Sequence, residues 1–131
     1  AAVLTGGHAP DRVGYYYAPT VLDAVPPAAG ILAAEIFGPV APIVRFAAED
    51  EAIALANATE YGLVSYLYSA DLRRCLRVAE ALEAGMIGIN RGVVSDPAAP
   101  FGGVKQSGLG REGAHDGLLE YTETKYIAVD W

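Results

Sequence analysis

The chain has 131 residues, 53% of them hydrophobic, with a mean hydropathy of +0.26 and a formal net charge of −7. That acidic balance excludes the basic faces that nucleic acid selects, and no run of 18 apolar residues is present to span a membrane. The single cysteine, Cys75, excludes a disulfide framework and a cysteine-based zinc site, and no metal is expected.

The length suits one domain with a real core. The hydropathy is high for so small a domain and suggests surfaces covered by something outside the chain. The start, Ala1-Ala2-Val3-Leu4-Thr5, lacks a basic region and a methionine. It is not read as a signal peptide, and it is how a fragment is expected to begin. One unpaired cysteine fits a reduced, cytoplasmic setting.

Val3–Thr5 reads as a short strand ended by Gly6-Gly7, with a turn over His8–Arg12. Tyr15–Tyr17 through Leu22 reads as a second strand interrupted by Pro19, and the two strands as a hairpin. Pro26-Pro27 then forces an extended connection. In the apolar run Ile31–Val40, Glu35 has two readings. It is a strand-end carboxylate facing water, or a carboxylate aimed at a polar ligand, with Phe37 on the same side two residues on if the run is extended. Pro42–Phe46 reads as a strand, and Glu49–Ala58 as a helix with Ala52, Ile53 and Ala56 on one face. Gly62 suits a sharp stop after that helix.

Val64–Ser69 alternates as a strand does. Asp71 can cap a helix over Leu72–Ala84 that Gly85 ends. Leu72, Cys75, Leu76, Ala79 and Leu82 give that helix one apolar stripe, so Cys75 is expected in the core rather than as a nucleophile. Met86–Asn90 reads as a buried strand. The loop Arg91–Ala99 hangs from its end, where binding groups often sit. Ser95 alone is a turn former, and Arg91 is either solvated or a source of positive potential. Ala114–Glu120 reads as a short helix and Tyr121–Trp131 as a strand with edge charges at Lys125 and Asp130.

Between these lies Pro100–Gly113, which holds five of the 15 glycines and no apolar periodicity. Glycines cluster where backbone turns sharply or approaches something closely. Phe101 is the large aromatic of the stretch and either pins the loop or faces a pocket. Gly108-Leu109-Gly110-Arg111-Glu112-Gly113 fits G-x-G-x-x-G. It follows no buried strand, and too little chain remains for a nucleotide-binding unit.

The run Pro-Phe-Gly-Gly-Val-Lys-Gln-Ser-Gly-Leu-Gly-Arg-Glu-Gly at 100–113 resembles the C-terminal glycine-rich signature of the aldehyde dehydrogenase superfamily, most closely that of succinate-semialdehyde dehydrogenases. Glu35-Ile36-Phe37-Gly38-Pro39 is similar to a second motif of that superfamily, and Asn57–Leu63 to a third. The resemblance covers essentially the whole chain, as the C-terminal quarter or so of such an enzyme. It implies an α/β fold in which residues 1–120 form the C-terminal part of the catalytic domain and residues 121–131 an oligomerisation strand. It also implies NAD or NADP as cofactor, with Glu35 on the nicotinamide ribose and Phe37 beside the nicotinamide. Ser95 would help bind a distal carboxylate, and Phe101 would line the aldehyde tunnel.

Ala34, Arg91 and Asp96-Pro97 depart from the family pattern. The nucleophilic cysteine, the general-base glutamate and the nucleotide domain match nothing here. No catalytic residue is therefore expected in the chain, and it is expected to be inactive alone. The partners implied are a small aldehyde and further copies in a dimer or tetramer. A reading of another class is a catalytically silent assembly module that recruits a partner through the terminal strand.

Overall fold

A computed structural model describes all residues 1–131, which form two compact units, Ala1–Leu55 and Ala56–Trp131.

In the first unit β1 (Ala2–Thr5), β2 (Thr20–Asp23) and β3 (Val40–Pro42) make one sheet in that order. The β1–β2 pair is antiparallel, as the hairpin reading requires, with a register shift between Val3 and Thr5. The β2–β3 pair is parallel and runs from Thr20↔Val40 to Leu22↔Pro42. Gly6 ends β1 at φ 73°, and a Cβ there would fall on the Pro19 carbonyl and the Thr20 hydroxyl. That close approach is what demands glycine. Thr20 is buried because its hydroxyl is satisfied, accepting from the Gly7 amide at 2.7 Å and donating to the Ala18 carbonyl at 2.8 Å.

Several expectations for this unit are corrected. Tyr15–Tyr17 lie outside any strand, and β2 starts only after Pro19. Proline cannot donate to a ladder, and the Arg12 guanidinium instead stacks 3.6 Å from the Tyr16 ring centroid. The Pro26-Pro27 connection is a turn, closed by the Ala29 amide on the Pro26 carbonyl at 2.9 Å. Ile31–Val40 is not extended throughout. It opens with a single 3-10 turn at Gly30–Leu32 and continues irregularly. The third strand comes earlier than expected, and its Pro42 sits on an edge strand, where no amide is required.

α1 (Glu49–Asn57) spans the boundary between the units. Glu49, Asp50 and Glu51 fill its first turn, where carboxylates complement the helix dipole, and Glu51 accepts from the Ala47 amide at 2.8 Å. Ala52 and Ile53 are half-buried as expected, but Leu55 rather than Ala56 joins them.

In the second unit β5 (Val64–Leu67) and β6 (Met86–Ile89) pair in parallel across α2 (Leu72–Ala81). β4 (Tyr61–Gly62) pairs antiparallel with β7 (Val104–Lys105). Asp71 caps α2 as expected, accepting from the Arg73 and Arg74 amides. The helix stops at Ala81 rather than Ala84, because Leu82 is already extended at φ −79°, ψ 129°. Cys75 is buried at 1% exposure, while Leu72 and Leu76 stand in solvent, so the buried stripe is narrower than its spacing suggests.

Gly62 is not a helix stop. It lies in β4, where a Cβ would meet the Glu83 carbonyl and Val104. Gly85 is likewise a contact glycine, lying against the backbone of Gly102 and Gly103. The last helix, α3 (Asp116–Leu119), is shorter than Ala114–Glu120. Gly113 and Ala114 take φ of 72° and 48°, and left-handed residues cannot extend a right-handed helix.

Residues 121–131 carry no regular element and are all exposed. An alternating segment becomes a strand only against a partner edge. Many large apolar side chains are exposed, among them Tyr121, Tyr126, Ile127 and Trp131. No helix is long and apolar enough to cross a membrane.

Candidate functional site

In the first unit, Glu35 and Phe37 stand on the irregular segment between the 3-10 turn and β3. Both are exposed, Phe37 at 92%. Phe37 also takes φ 44°, a region that bulky residues enter rarely and at a cost of about 1–3 kcal/mol. Little of the ring is covered within its own unit. The motif contained no signal for this strain, since Gly38 and Pro39 are the residues that suggest a turn.

In the second unit, the loop after β6 carries Ser95, which is exposed. It leads into Phe101, which is half-buried and held by an isolated bridge. The Phe101 amide donates to the Glu112 carbonyl and the Glu112 amide to the Phe101 carbonyl, both at 2.8 Å. The glycine-rich stretch is therefore a closed loop.

Arg111 braces it from inside. Its Nη1 donates to the carbonyls of Gly103 at 2.9 Å and Gly110 at 2.7 Å, while its amide donates to Glu120 Oε1 at 3.1 Å. Gly110 suits this position because it takes φ 78°, a left-handed conformation that side chains disfavour. Lys105 braces the outside. Its Nζ donates to the carbonyls of Asn57 and Thr59 at 2.9 and 3.1 Å and pairs with Glu83. The Ser107 hydroxyl accepts from the Gly62 amide at 3.0 Å.

Against this loop opens a depression of about 380 Å³. Leu63, Phe101 and Leu109 give it apolar walls, and Arg111, Glu112 and Glu120 are its charged residues. Ser95 is not part of that lining. The structure thus brings Phe101 to a concave surface, and it leaves Ser95 on the loop upstream. Sequence reading missed the bracing roles of Lys105 and Arg111. Nothing in their spacing signals them, since all their partners but the Glu83 and Glu120 carboxylates are backbone carbonyls.

Cys75 offers no exposed thiol. Its Sγ lies 3.6 Å from the Ser69 carbonyl. No group of three or more His, Cys, Asp or Glu side chains is placed to hold a metal ion.

Comparison with known proteins decides the family. Residues 1–127 match the model of the aldehyde dehydrogenase family. The chain belongs to the aldehyde dehydrogenase family.

Among curated dehydrogenases of related sequence, the chain is 60% identical over 129 residues to succinate-semialdehyde dehydrogenase of Paenarthrobacter nicotinovorans, which covers 98% of this chain and 29% of that protein. It is 51% identical over 129 residues to glutarate-semialdehyde dehydrogenase of Pseudomonas putida, covering 98% of this chain and 26% of that protein. Among solved structures it is similar to succinate-semialdehyde dehydrogenase from Burkholderia pseudomallei, with TM-score 0.87 and 55% identity over 92% of this chain and 25% of that one. It is also similar to an NADP-dependent enzyme of Escherichia coli, with TM-score 0.92 and 50% identity over 96% of this chain and 26% of that one. The chain therefore spans about a quarter of the length of the dehydrogenases it matches. Its mixed α/β fold is a portion of the aldehyde dehydrogenase fold.

Proposed function

We propose that this chain supplies the nicotinamide-side and substrate-side contacts of an NAD(P)-dependent dehydrogenase. That enzyme oxidises a semialdehyde, succinate semialdehyde in the first place, to the carboxylic acid. The observation that carries the reading is the loop from Arg91 to Glu112, where an exposed serine stands upstream of a phenylalanine on a braced, concave surface. Succinate semialdehyde has an aldehyde at one end, a carboxylate at the other and methylenes between. A hydroxyl donor suits the carboxylate, and an apolar wall of Phe101, Leu63 and Leu109 suits the methylenes. The two semialdehyde-oxidising relatives above point the same way.

The cofactor side fits by the same test. Glu35 offers an exposed carboxylate that can accept from ribose hydroxyls. Phe37 offers a strained, exposed ring for a flat heterocycle. Bound NAD or NADP would accept the hydride from the substrate carbon. This chain's part is to orient both partners. The nucleophilic thiolate and the base of the family mechanism would come from elsewhere in the enzyme, so the 131 residues by themselves would be inactive. Residues 121–131 would serve as the oligomerisation strand, since an exposed alternating segment is suited to pairing with another chain. A cytoplasmic enzyme fits the single reduced cysteine.

The test is Ser95→Ala in the intact dehydrogenase carrying this segment. KM for succinate semialdehyde is expected to rise on the order of tenfold, as for a lost hydrogen bond to a charged group. The effect on an uncharged aldehyde should be far smaller, and equal effects on both would remove Ser95 from the carboxylate site. Intact mass of the polypeptide from its source cells tests the frame of this reading. A species several times 13.7 kDa supports it, and one at 13.7 kDa would favour the assembly module.

A further inference from the structure

We propose that Asn90 is a positioning residue for substrate selection: its side-chain amide fixes the start of the Ser95 loop to the end of β5. The proposal rests on the reading of Ser95 as a carboxylate contact.

The geometry begins with the β5–β6 ladder. The Asn90 amide donates to the Leu67 carbonyl at 2.8 Å, one step beyond the last paired residues. Asn90 then takes φ 53° and turns the chain out of the strand. Asparagine tolerates that left-handed region better than most residues. Its side chain closes a second contact. Oδ1 accepts from the Ser69 amide and Nδ2 donates to the Ser69 carbonyl, both at 2.9 Å.

Ser69 is itself anchored at the entry to α2. Its hydroxyl accepts from the Asp71 amide at 3.2 Å, and its carbonyl lies 3.6 Å from the Cys75 thiol. The capped end of α2 and the end of β6 thus meet at one backbone unit. Downstream, Arg91 Nε donates to the Val93 carbonyl at 2.5 Å, a bond internal to the loop. Val94 packs over Gly88 of β6, and the loop's next hydrogen bond to other chain is the Ala114 amide on the Pro97 carbonyl at 3.2 Å. Ser95 lies between these ties, so the direction of residues 91–95 is set at Asn90. A three-point hold from one residue (one main-chain bond and two side-chain bonds) is what fixes a loop rather than merely ending a strand.

Asn90→Gly tests this, because glycine keeps the left-handed φ without strain and removes both side-chain bonds. In the intact dehydrogenase, the ratio of kcat/KM for succinate semialdehyde to that for an uncharged aldehyde is expected to fall on the order of fivefold, through KM, as two modest hydrogen bonds would give. The double variant Asn90→Gly/Ser95→Ala should be no less selective than Ser95→Ala alone, since Asn90 acts through Ser95. An unchanged ratio in Asn90→Gly, or full additivity in the double variant, would assign Asn90 to fold stability and overturn the proposal. Should the glycine variant not fold, Asn90→Asp keeps the acceptor and loses the donor. A smaller fall in the same ratio then supports the proposal, and none overturns it. If Ser95→Ala alone leaves the ratio untouched, the carboxylate reading of Ser95 is what fails.

Discussion

The loop from Phe101 to Glu112 and the segment from Ile31 to Pro39 each present a phenylalanine proposed to line a ligand, and they hold it in opposite ways. Phe101 is half-buried and bridged to Glu112. Its loop is tied by Arg111 from within and by Lys105 from without. Phe37 is exposed at left-handed φ, on a segment with no strand ladder between the 3-10 turn and β3. The lesson concerns what each ligand contact asks of the fold. A concave wall for a small substrate has to be shaped by the chain itself, so its glycines are spent on close backbone packing. A ring that stacks on a large cofactor needs only to be held out, and part of its support can come from the ligand.

The largest way to break this contrast is Gly85→Val. The side chain would collide with the backbone of Gly102 and Gly103, and overpacking against backbone should cost about 3 kcal/mol or more. Thermal unfolding of the intact enzyme should show a clear drop in Tm. An unchanged Tm would mean that the glycine loop is not packed as described.

Glu35→Gln probes the other segment. Tm should stay within error, because the Glu35 side chain is exposed, while cofactor Kd should weaken by roughly tenfold for a lost charge-assisted bond. Titration calorimetry with NAD and NADP would read this. A fall in Tm without a change in Kd would reverse the assignment of that segment from binding to structure.

The smallest effect is expected from Asp23→Asn. The half-buried Asp23 and the exposed Arg45 form a pair that ties β2 to the residues after β3. The Arg45 guanidinium, and then the Ala24 amide, hold the Asp23 carboxyl below its ordinary range. A depressed carboxyl pKa adds stability that is present above the unfolded value and is lost as pH falls through the folded one. The variant should therefore be slightly less stable at neutral pH. The difference should close as pH drops below the usual aspartate value of about 3.9. A gap that persists in acid would mean that the pair acts through packing instead of charge.

Much of this was legible in the residues. Local rules sufficed for Asp71 as a cap, for the β1–β2 hairpin, for the strands after Gly62 and Gly85, and for Cys75 as a core residue. The glycine-rich run and the Glu-Ile-Phe-Gly-Pro motif were enough to identify the family. The errors fall where distant backbone decides. Gly62 and Gly85 looked like helix stops, and Tyr15–Tyr17 looked like a strand. Tyr121–Trp131 alternates without any partner edge in the chain.

What the sequence determined by itself is the set of short-range preferences: caps, apolar periodicity, breakers, and motifs whose residue types carry their own chemistry. Tertiary structure alone decided which glycines face another backbone, which side chains grip carbonyls far away in sequence, and where an aromatic is held at positive φ. The physical reason is that backbone carbonyls are the same at every residue. A bond such as Lys105 to Asn57, or Asn90 to Ser69, leaves no mark in the sequence of its acceptor.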